Sequence, residues 1–540
     1  MWQQNYTPFV QSVGLSALIA AIPVFVMLLM MGPLKMPAWK SSLASLGAAV
    51  LVALFVYRMP VPLLASTVVY GGSFGLFPIG WIVLSAILLY NITLHTGKFE
   101  IVKHSIAGIT DDRRLQALLI AFAFGAFIEG AAGFGTPVAV AAAVLTGLGF
   151  SPFFAGGICL LANTAPVAFG SIGIPLITLA TVTGLPLGQL SAGVGRICAP
   201  ISLIIPAYLV LVMGGWKALR GVLPAAILCG VAFAGTQFYV SNFIGAELTD
   251  ILSSLAAIIS LVVLFRFWKP KDEFHLPGDG AKQIRGYIPA GEVFLAWTPF
   301  LLLVVCVLLW GAKPVKAYFD TYAIKFAWPG LHNLIQRMPP VSKVPSPYEA
   351  FYTFNWLSAS GTACFVSAIL SAVVLRMSVR DFLGVFGRTL KQLVFAEATI
   401  AIVLALAFVM NYSGATATMG LAFAATGAMF PFFSALLGWL GVFLTGSDTS
   451  ANALFGNLQV VTAQNLGMNP VLMASANSAG GVMGKMISLQ SVAVASAATS
   501  MGGGEESKLF RFTFKHSVFL ASLIGLVAMF YAYVMPSLAP

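Results

Sequence analysis

The sequence predicts an all-α polytopic membrane protein built from two inverted repeats, with about 12 transmembrane helices, two re-entrant helical hairpins and two broken helices. Three observations predict it. Of 540 residues, 59% are hydrophobic and 8% charged, against about 25% charged in an ordinary soluble domain. Apolar runs of roughly 18 to 25 residues recur along the chain, each long enough to cross the ~30 Å hydrocarbon layer. Finally, each half contains a long apolar stretch interrupted near its middle by small and polar residues.

Taken in order, the spans fall near 13–31, 41–57, 77–94, 153–181, 196–213, 222–239, 249–268, 292–311, 351–375, 392–410, 470–500 and 512–536. The run 13–31 is preceded by no basic segment and followed by no small-residue cleavage site, so it reads as a retained span. The stretches 115–149 and 431–468 read as hairpins that enter and leave on one side. Residues 1–268 then form the first repeat, carrying the hairpin 115–149, the broken helix 153–181 and linking helices within 222–268. A cytoplasmic linker follows at 269–291. Residues 292–540 form the second repeat, with the hairpin 431–468 and the broken helix 470–500.

Charge placement supports that topology. With the hairpins folded back, one side receives Lys98, Lys103, Arg113, Arg114, Lys217, Arg220, Arg266, Arg376, Arg380 and Arg388 among others. The loops "TGLPLGQLSAG" and "SNFIGAELTD" on the other side hold no basic residue, and the exception is the long loop 312–350, which holds five. The positive-inside rule then puts both termini outside. The net charge of +11 is therefore a matter of topology, and gives no reason to expect a nucleic-acid partner. Five cysteines stand singly in apolar segments without metal-type spacing, so neither a disulfide framework nor a zinc site is expected.

The repeat shows in matched segments. "ANTAPVAFG" at 162–170 aligns with "ANSAGGVMG" at 476–484, and Gly130 aligns with Gly446 at nearly the same offset. Four interruptions result, at Gly130–Pro137, Asn163–Pro175, Gly446–Asn452 and Asn477–Lys485. Non-helical backbone in a membrane survives only where protein or a water-filled site receives it. Paired interruptions in inverted repeats bring helix ends to a substrate near the midplane, where free N–H groups favour an anion. Asn163, Thr164, Ser447, Thr449, Asn477 and Ser478 are therefore expected to line one site. The competing interpretation is that Gly and Pro merely kink packed helices.

Charges inside apolar segments are costly unless paired or hydrated. Glu129, Glu397 and Asp448 are the acidic residues so placed, and Glu129 and Asp448 sit at the hairpin tips. Lys485 follows the last interruption and is expected to attract a substrate carboxylate. Asp448 could instead be a helix cap, and Glu129 with Lys485 a purely structural pair. Glu397 is expected to pair with Lys391 and Arg388, and Arg196 to anchor at the membrane interface. No histidine lies deep in a span, and no nucleophile–base or metal constellation stands out, so neither catalytic residues nor a cofactor or metal is expected.

The segments "EGAAGFGTPVA", "NTAPVAFGSIGIP", "SNFIGAEL" and "GSDTSANALFGN", with the start "WQQNY", closely resemble the lactate permease family of bacteria. The resemblance implies a proton-coupled carrier of L-lactate, with D-lactate and glycolate as related substrates, in the inner membrane. It also implies an elevator-type, ion-transporter-like fold. Uptake of an anion with H⁺ needs a carboxyl that takes up and releases a proton; Asp448 is the first choice and Glu129 the second. Two questions stay open at this point: whether H⁺ or Na⁺ is the coupled ion, the alternative being a Na⁺-coupled carrier of another small carboxylate, and whether the chain forms a homodimer.

Overall fold

Inside a bilayer, backbone polar groups must be satisfied within the segment, and helices do this residue by residue. The computed structural model describes residues 1–539 except 32, 35, 134, 273, 275–287, 343 and 502–504. Among them, 10 helices are long and apolar enough to cross a membrane, and the pair Pro152–Ala162 and Val167–Thr183, bent by 64°, brings the number to 11. The set differs from the one expected. One pair merges, and the helices at 351–375 and 470–500 are too short to qualify. Arg113–Ala131 and Ala415–Thr445 qualify instead. The spans expected at 196–213 and 222–239 run together as Leu187–Phe243, 57 residues long, turned at Gly214, Gly215 and Val222, where the backbone leaves helical angles.

A second difference lies near residue 351. The span expected at 351–375 begins late: Phe351–Phe354 is a strand paired antiparallel with Ile324–Ala327, and the helix covers only Ser360–Val374. The chain start joins the same region, since Trp2–Gln3 pairs in parallel with Ile335–Arg337, which pairs in turn with Ser346–Pro347. These short strands amend the all-α expectation. The aromatic and β-branched residues that look membrane-bound there suit strands equally well. Most of the linker expected at 269–291 lies outside the described residues.

Four breaks position the site. In the first half, the helical stretch Arg113–Ala131 is followed by Thr136–Gly147, and Pro152–Ala162 by the bend described above. In the second half, Phe430–Thr445 is followed by Asp448–Asn465, and Pro470–Lys485 by Leu489–Thr499. The last break therefore falls at 486–488, not at Asn477–Lys485 as expected. Gly480 and Gly484 do not interrupt their helix; they let it touch another. A Cβ on Gly480 would strike the carbonyl oxygen of Ala435, and one on Gly484 that of Trp439. Small residues four apart permit this backbone contact between membrane helices, so Pro470–Lys485 lies directly against Phe430–Thr445.

Candidate substrate and ion site

The second hairpin turns at Gly446, whose φ of 71° is readily adopted only by glycine. Ser447 follows as the N-cap of Asp448–Asn465, its side chain accepting from the Ser450 N–H. The cap is thus Ser447, which corrects the view of Asp448 as the capping residue. Asp448 is buried and looks elsewhere: its Oδ2 accepts from Ser478 Oγ at 2.7 Å and from Asn452 Nδ2 at 3.2 Å. Its Oδ1 is buried without a hydrogen bond.

Behind Asp448 a polar network ties three helices together. Asn452 Nδ2 also reaches Ser478 Oγ at 3.1 Å and the Pro175 carbonyl at 3.2 Å, the latter across to the first half of the chain. Asn477 Nδ2 donates to Asn452 Oδ1 at 2.9 Å, and Asn477 Oδ1 accepts from Gln459 Nε2 at 2.9 Å. Buried amides joined in this way hold the tip in one geometry. Lys485 closes the last turn of its helix, the end that favours a cation, and donates to the Gly446 carbonyl at 2.5 Å. Among the described residues no ion pair joins Lys485 to Glu129, so a directly bonded structural pair is not what the geometry contains.

The first half supplies the opposite wall. Glu129 is buried on Gly125–Ala131, with Oε2 making no hydrogen bond. The neighbouring break winds through Ser171, Ile172 and Gly173, all with positive φ (47°, 58° and 74°). Such a conformation is an outlier for a β-branched residue and persists only where its surroundings enforce it. Ser171 Oγ donates to the Ala132 carbonyl at 3.0 Å, stitching the break to the hairpin.

Between these walls lies a cavity of about 80 Å³, several times the space one water needs. Glu129, Ser171 and Pro175 line it from one half, and Ser447, Asp448, Thr449, Lys485 and Gln490 from the other. Five of the nine expected site residues therefore meet in one cavity: Ser447, Asp448, Thr449, Lys485 and Glu129. Ser478 stands one bond behind, on Asp448. Asn163 lies within reach of the Glu129 carboxyl, and its buried amide makes no hydrogen bond of good geometry. Thr164 and Asn477 are placed differently from the expectation. Thr164 Oγ1 donates to the carbonyl of Leu161 at 2.7 Å, a local bond within its own turn, and Asn477 is committed to the amide network. Among the described residues no group of three or more His, Cys, Asp or Glu could hold a metal ion.

The cavity thus combines one ammonium, two carboxyls and hydroxyl groups at the meeting of interrupted helices. The chain also matches the family model described as L-lactate permease over residues 16–535. The chain belongs to the L-lactate permease family. It is 45% identical over 552 residues to the L-lactate permease of Escherichia coli (strain K12), covering 100% of both chains. The Glycolate permease GlcA of the same organism is 45% identical over 99% of this chain and 98% of its own. The L-lactate permease of Bacillus subtilis (strain 168) is 45% identical over the full length of both. Among solved structures, the YdaH transporter of Alcanivorax borkumensis is similar at 13% identity and a TM-score of 0.44, over 87% of each chain. As a member of this permease family the protein is a multi-pass membrane transporter, not an enzyme.

In this permease, several groups near the cavity carry no signal in the sequence. Asp250, read as part of an outer loop, is the second residue of the helix Thr249–Phe267 and is fully buried, with neither carboxylate oxygen hydrogen-bonded. Asn452, Gln459 and Gln490 are further such groups, and Gln490, exposed, marks the cavity's mouth. Glu397 does not meet Lys391 or Arg388 in any ion pair among the described residues. Its Oε1 is buried without a hydrogen bond, and its other oxygen lies where a Cβ on Gly80 would be. Arg196 binds Asn242 Oδ1 at 2.8 Å and the Leu538 carbonyl at 2.6 Å, away from the cavity.

Proposed function

We propose that this permease takes up L-lactate, with D-lactate and glycolate as related substrates, by proton symport. The observation that carries the proposal is the single cavity in which Lys485 faces Asp448 and Glu129. A 2-hydroxy acid offers a carboxylate for the ammonium and an α-hydroxyl for Ser447 and Thr449. The names of the relatives, L-lactate permease and glycolate permease, support that substrate class.

The proton follows from charge. Uptake of a monoanion against an inside-negative potential is opposed by about 2.3 kcal/mol per 100 mV. One proton travelling with the anion cancels that term and adds the pH gradient as a driving force. Asp448 is the first choice to hold it, because its Oδ1 has no hydrogen bond and its Oδ2 is steadied by Ser478 and Asn452. Glu129, on the opposite wall, is the second. In this proposal the two halves are inverted repeats that carry the site by an elevator motion, in a bacterial inner membrane, with both termini outside.

Proteoliposomes test it. Labelled L-lactate, D-lactate, glycolate and other 2-hydroxy acids are offered under an imposed pH gradient, then under an imposed Na⁺ gradient. Accumulation of L-lactate and glycolate with the pH gradient alone is the expected outcome. Accumulation driven only by Na⁺ replaces the proton with that ion, and failure to accumulate either solute removes the substrate assignment.

A further inference from the structure

Asp250 is the most anomalous charged group outside the cavity. A buried ionised carboxylate without a donor is strongly disfavoured, and in a membrane protein such a group marks an ion or proton path by default. Asp250 is 1% exposed, and both its oxygens lack a hydrogen bond.

Its surroundings indicate what it serves. The first turn of Thr249–Phe267 lies against the first hairpin: a Cβ on Gly130 would sit 2.8 Å from Asp250 Cβ and 3.1 Å from the Ile251 nitrogen. Gly130 adjoins Glu129, which lines the central cavity, and the two carboxyls interact electrostatically. On the other side, a second cavity of about 390 Å³ is lined by Gly245, Glu247 and Leu248, the residues just before this helix. Glu247 there accepts from Ser360 Oγ at 3.1 Å, and Lys313 and Lys316 also line the space. Carboxyls thus succeed one another from that vestibule (Glu247), through the buried seam (Asp250), to the central cavity (Glu129).

We propose that Asp250 is a proton relay connecting the vestibule at Glu247 to Glu129 and the central cavity. The step is a proton transfer alone. Asp250 as the acid gives its proton to the Glu129 carboxylate, becomes the carboxylate itself, and is reprotonated from the vestibule. Two ionised carboxylates in one buried region repel each other, so the relay holds one proton at a time, on one carboxyl or the other. The other titratable groups facing the pair are the Cys198 thiol from Leu187–Phe243, which senses Asp250 and Asp448, and Lys485, which senses Glu129. The adjoining segments Ala117–Phe124 and Gly170–Thr183 contribute none.

This inference rests on the symport proposal, and the experiment separates the two. Wild-type protein in proteoliposomes is first assayed for counterflow of L-lactate and glycolate, then for accumulation under a pH gradient; lack of both defeats the transport proposal irrespective of Asp250. Asp250→Asn keeps the shape and removes the titration. Counterflow returns the carrier loaded and needs no net proton transfer, so the variant is expected to lose pH-driven accumulation far more than counterflow. The loss should be about tenfold for each unit of pH gradient. Asp250→Glu is expected to restore part of the accumulation. Unchanged pH-driven accumulation in Asp250→Asn overturns the relay. So does a proportionate fall of accumulation and counterflow together, which is the mark of a structural role. Accumulation driven by a Na⁺ gradient and abolished by Asp250→Asn also overturns it, making the pair a cation site.

Discussion

The Ser478 hydroxyl donates to the Asp448 carboxylate across 2.7 Å, joining a hairpin tip to the middle of a helix 30 positions away. That bond, the Asn452 amide beside it and the separate capping of the helix by Ser447 mean that Asp448 is free of any capping duty. Its burial beside Lys485 then calls for a different explanation, and a proton-carrying carboxyl is the one proposed above.

Asp448→Asn tests this directly. The amide keeps the size of the side chain and Ser447 keeps the cap, so the variant should unfold within a few degrees of wild type, a shift of about 1 kcal/mol or less. Accumulation of lactate under a pH gradient should disappear, since a unit of gradient stores about 1.4 kcal/mol per proton, or tenfold in concentration ratio. If the variant still accumulates with wild-type pH dependence, Glu129 takes over the role.

Lys485→Met should act on affinity. Hydrogen bonds to charged groups contribute about 1.5–3 kcal/mol, so the apparent KM for L-lactate should rise about 10- to 100-fold. The thioether fills the space of the stem, so the protein should insert and purify normally. An unchanged KM in correctly inserted protein would show that Lys485 only closes its helix on the Gly446 carbonyl, the bond it makes now at 2.5 Å.

How much of this was legible before folding depends on the range of the forces involved. Apolar run length is local, and it revealed most of the spans. The turn at Gly446–Ser447 is local too, since glycine followed by a capping serine carries its own geometry. Asp250 was not legible. An acid closing a Gly-containing loop that also holds Glu247 looks solvated, and the landing of Thr249–Phe267 on Gly130 helps to bury it. The stretch "ANSAGGVMG" misled for a related reason. Glycines that break a helix and glycines that let two helices touch look alike in sequence, and Asn477 proved to be inside a continuous helix with its amide in use. Phe351–Phe354 looked like the start of a span because its partner strand lies at Ile324–Ala327, beyond any local pattern.

The glycine contact gives a packing prediction. Gly480→Val and Gly484→Leu push side chains into the carbonyls of Ala435 and Trp439, where backbone cannot yield. Each should destabilise by about 1–3 kcal/mol or more, seen as a lower unfolding temperature in detergent and a lower yield. Gly235→Ala is the control, because nothing lies within 4 Å of its Cβ position in the helix Leu187–Phe243. Equal tolerance of all three substitutions would contradict direct contact between Phe430–Thr445 and Pro470–Lys485.

The last prediction concerns the opposite end of the first hairpin. Arg114 has a fully buried side chain and bonds Asp112 Oδ2 and Asp272 Oδ2, each at 2.7 Å, with further bonds to the carbonyls of Ala218 and Asp272. It thereby fastens the start of Arg113–Ala131 to the bend of the long helix and to the segment after Phe267. Asp272 is 45% exposed and is rehydrated when its partner goes, whereas Asp112 and the Ala218 carbonyl lose a buried donor. Arg114→Met should therefore lower stability by about 1–3 kcal/mol. The acid side has a definite sign. The hydrogen bond and charge of Arg114 hold the Asp272 carboxyl below its ordinary value, so its contribution is fully present above about pH 4, the unfolded value. It fades as the pH falls through the lowered folded value. Asp272→Asn removes this titration while Asp112 still answers Arg114. The variant should therefore be less stable than wild type at pH 7, with the difference shrinking as the pH drops below about 4. Thermal unfolding in detergent across that range measures it, and a difference that stays constant or widens in acid would show that Asp272 adds nothing through its charge.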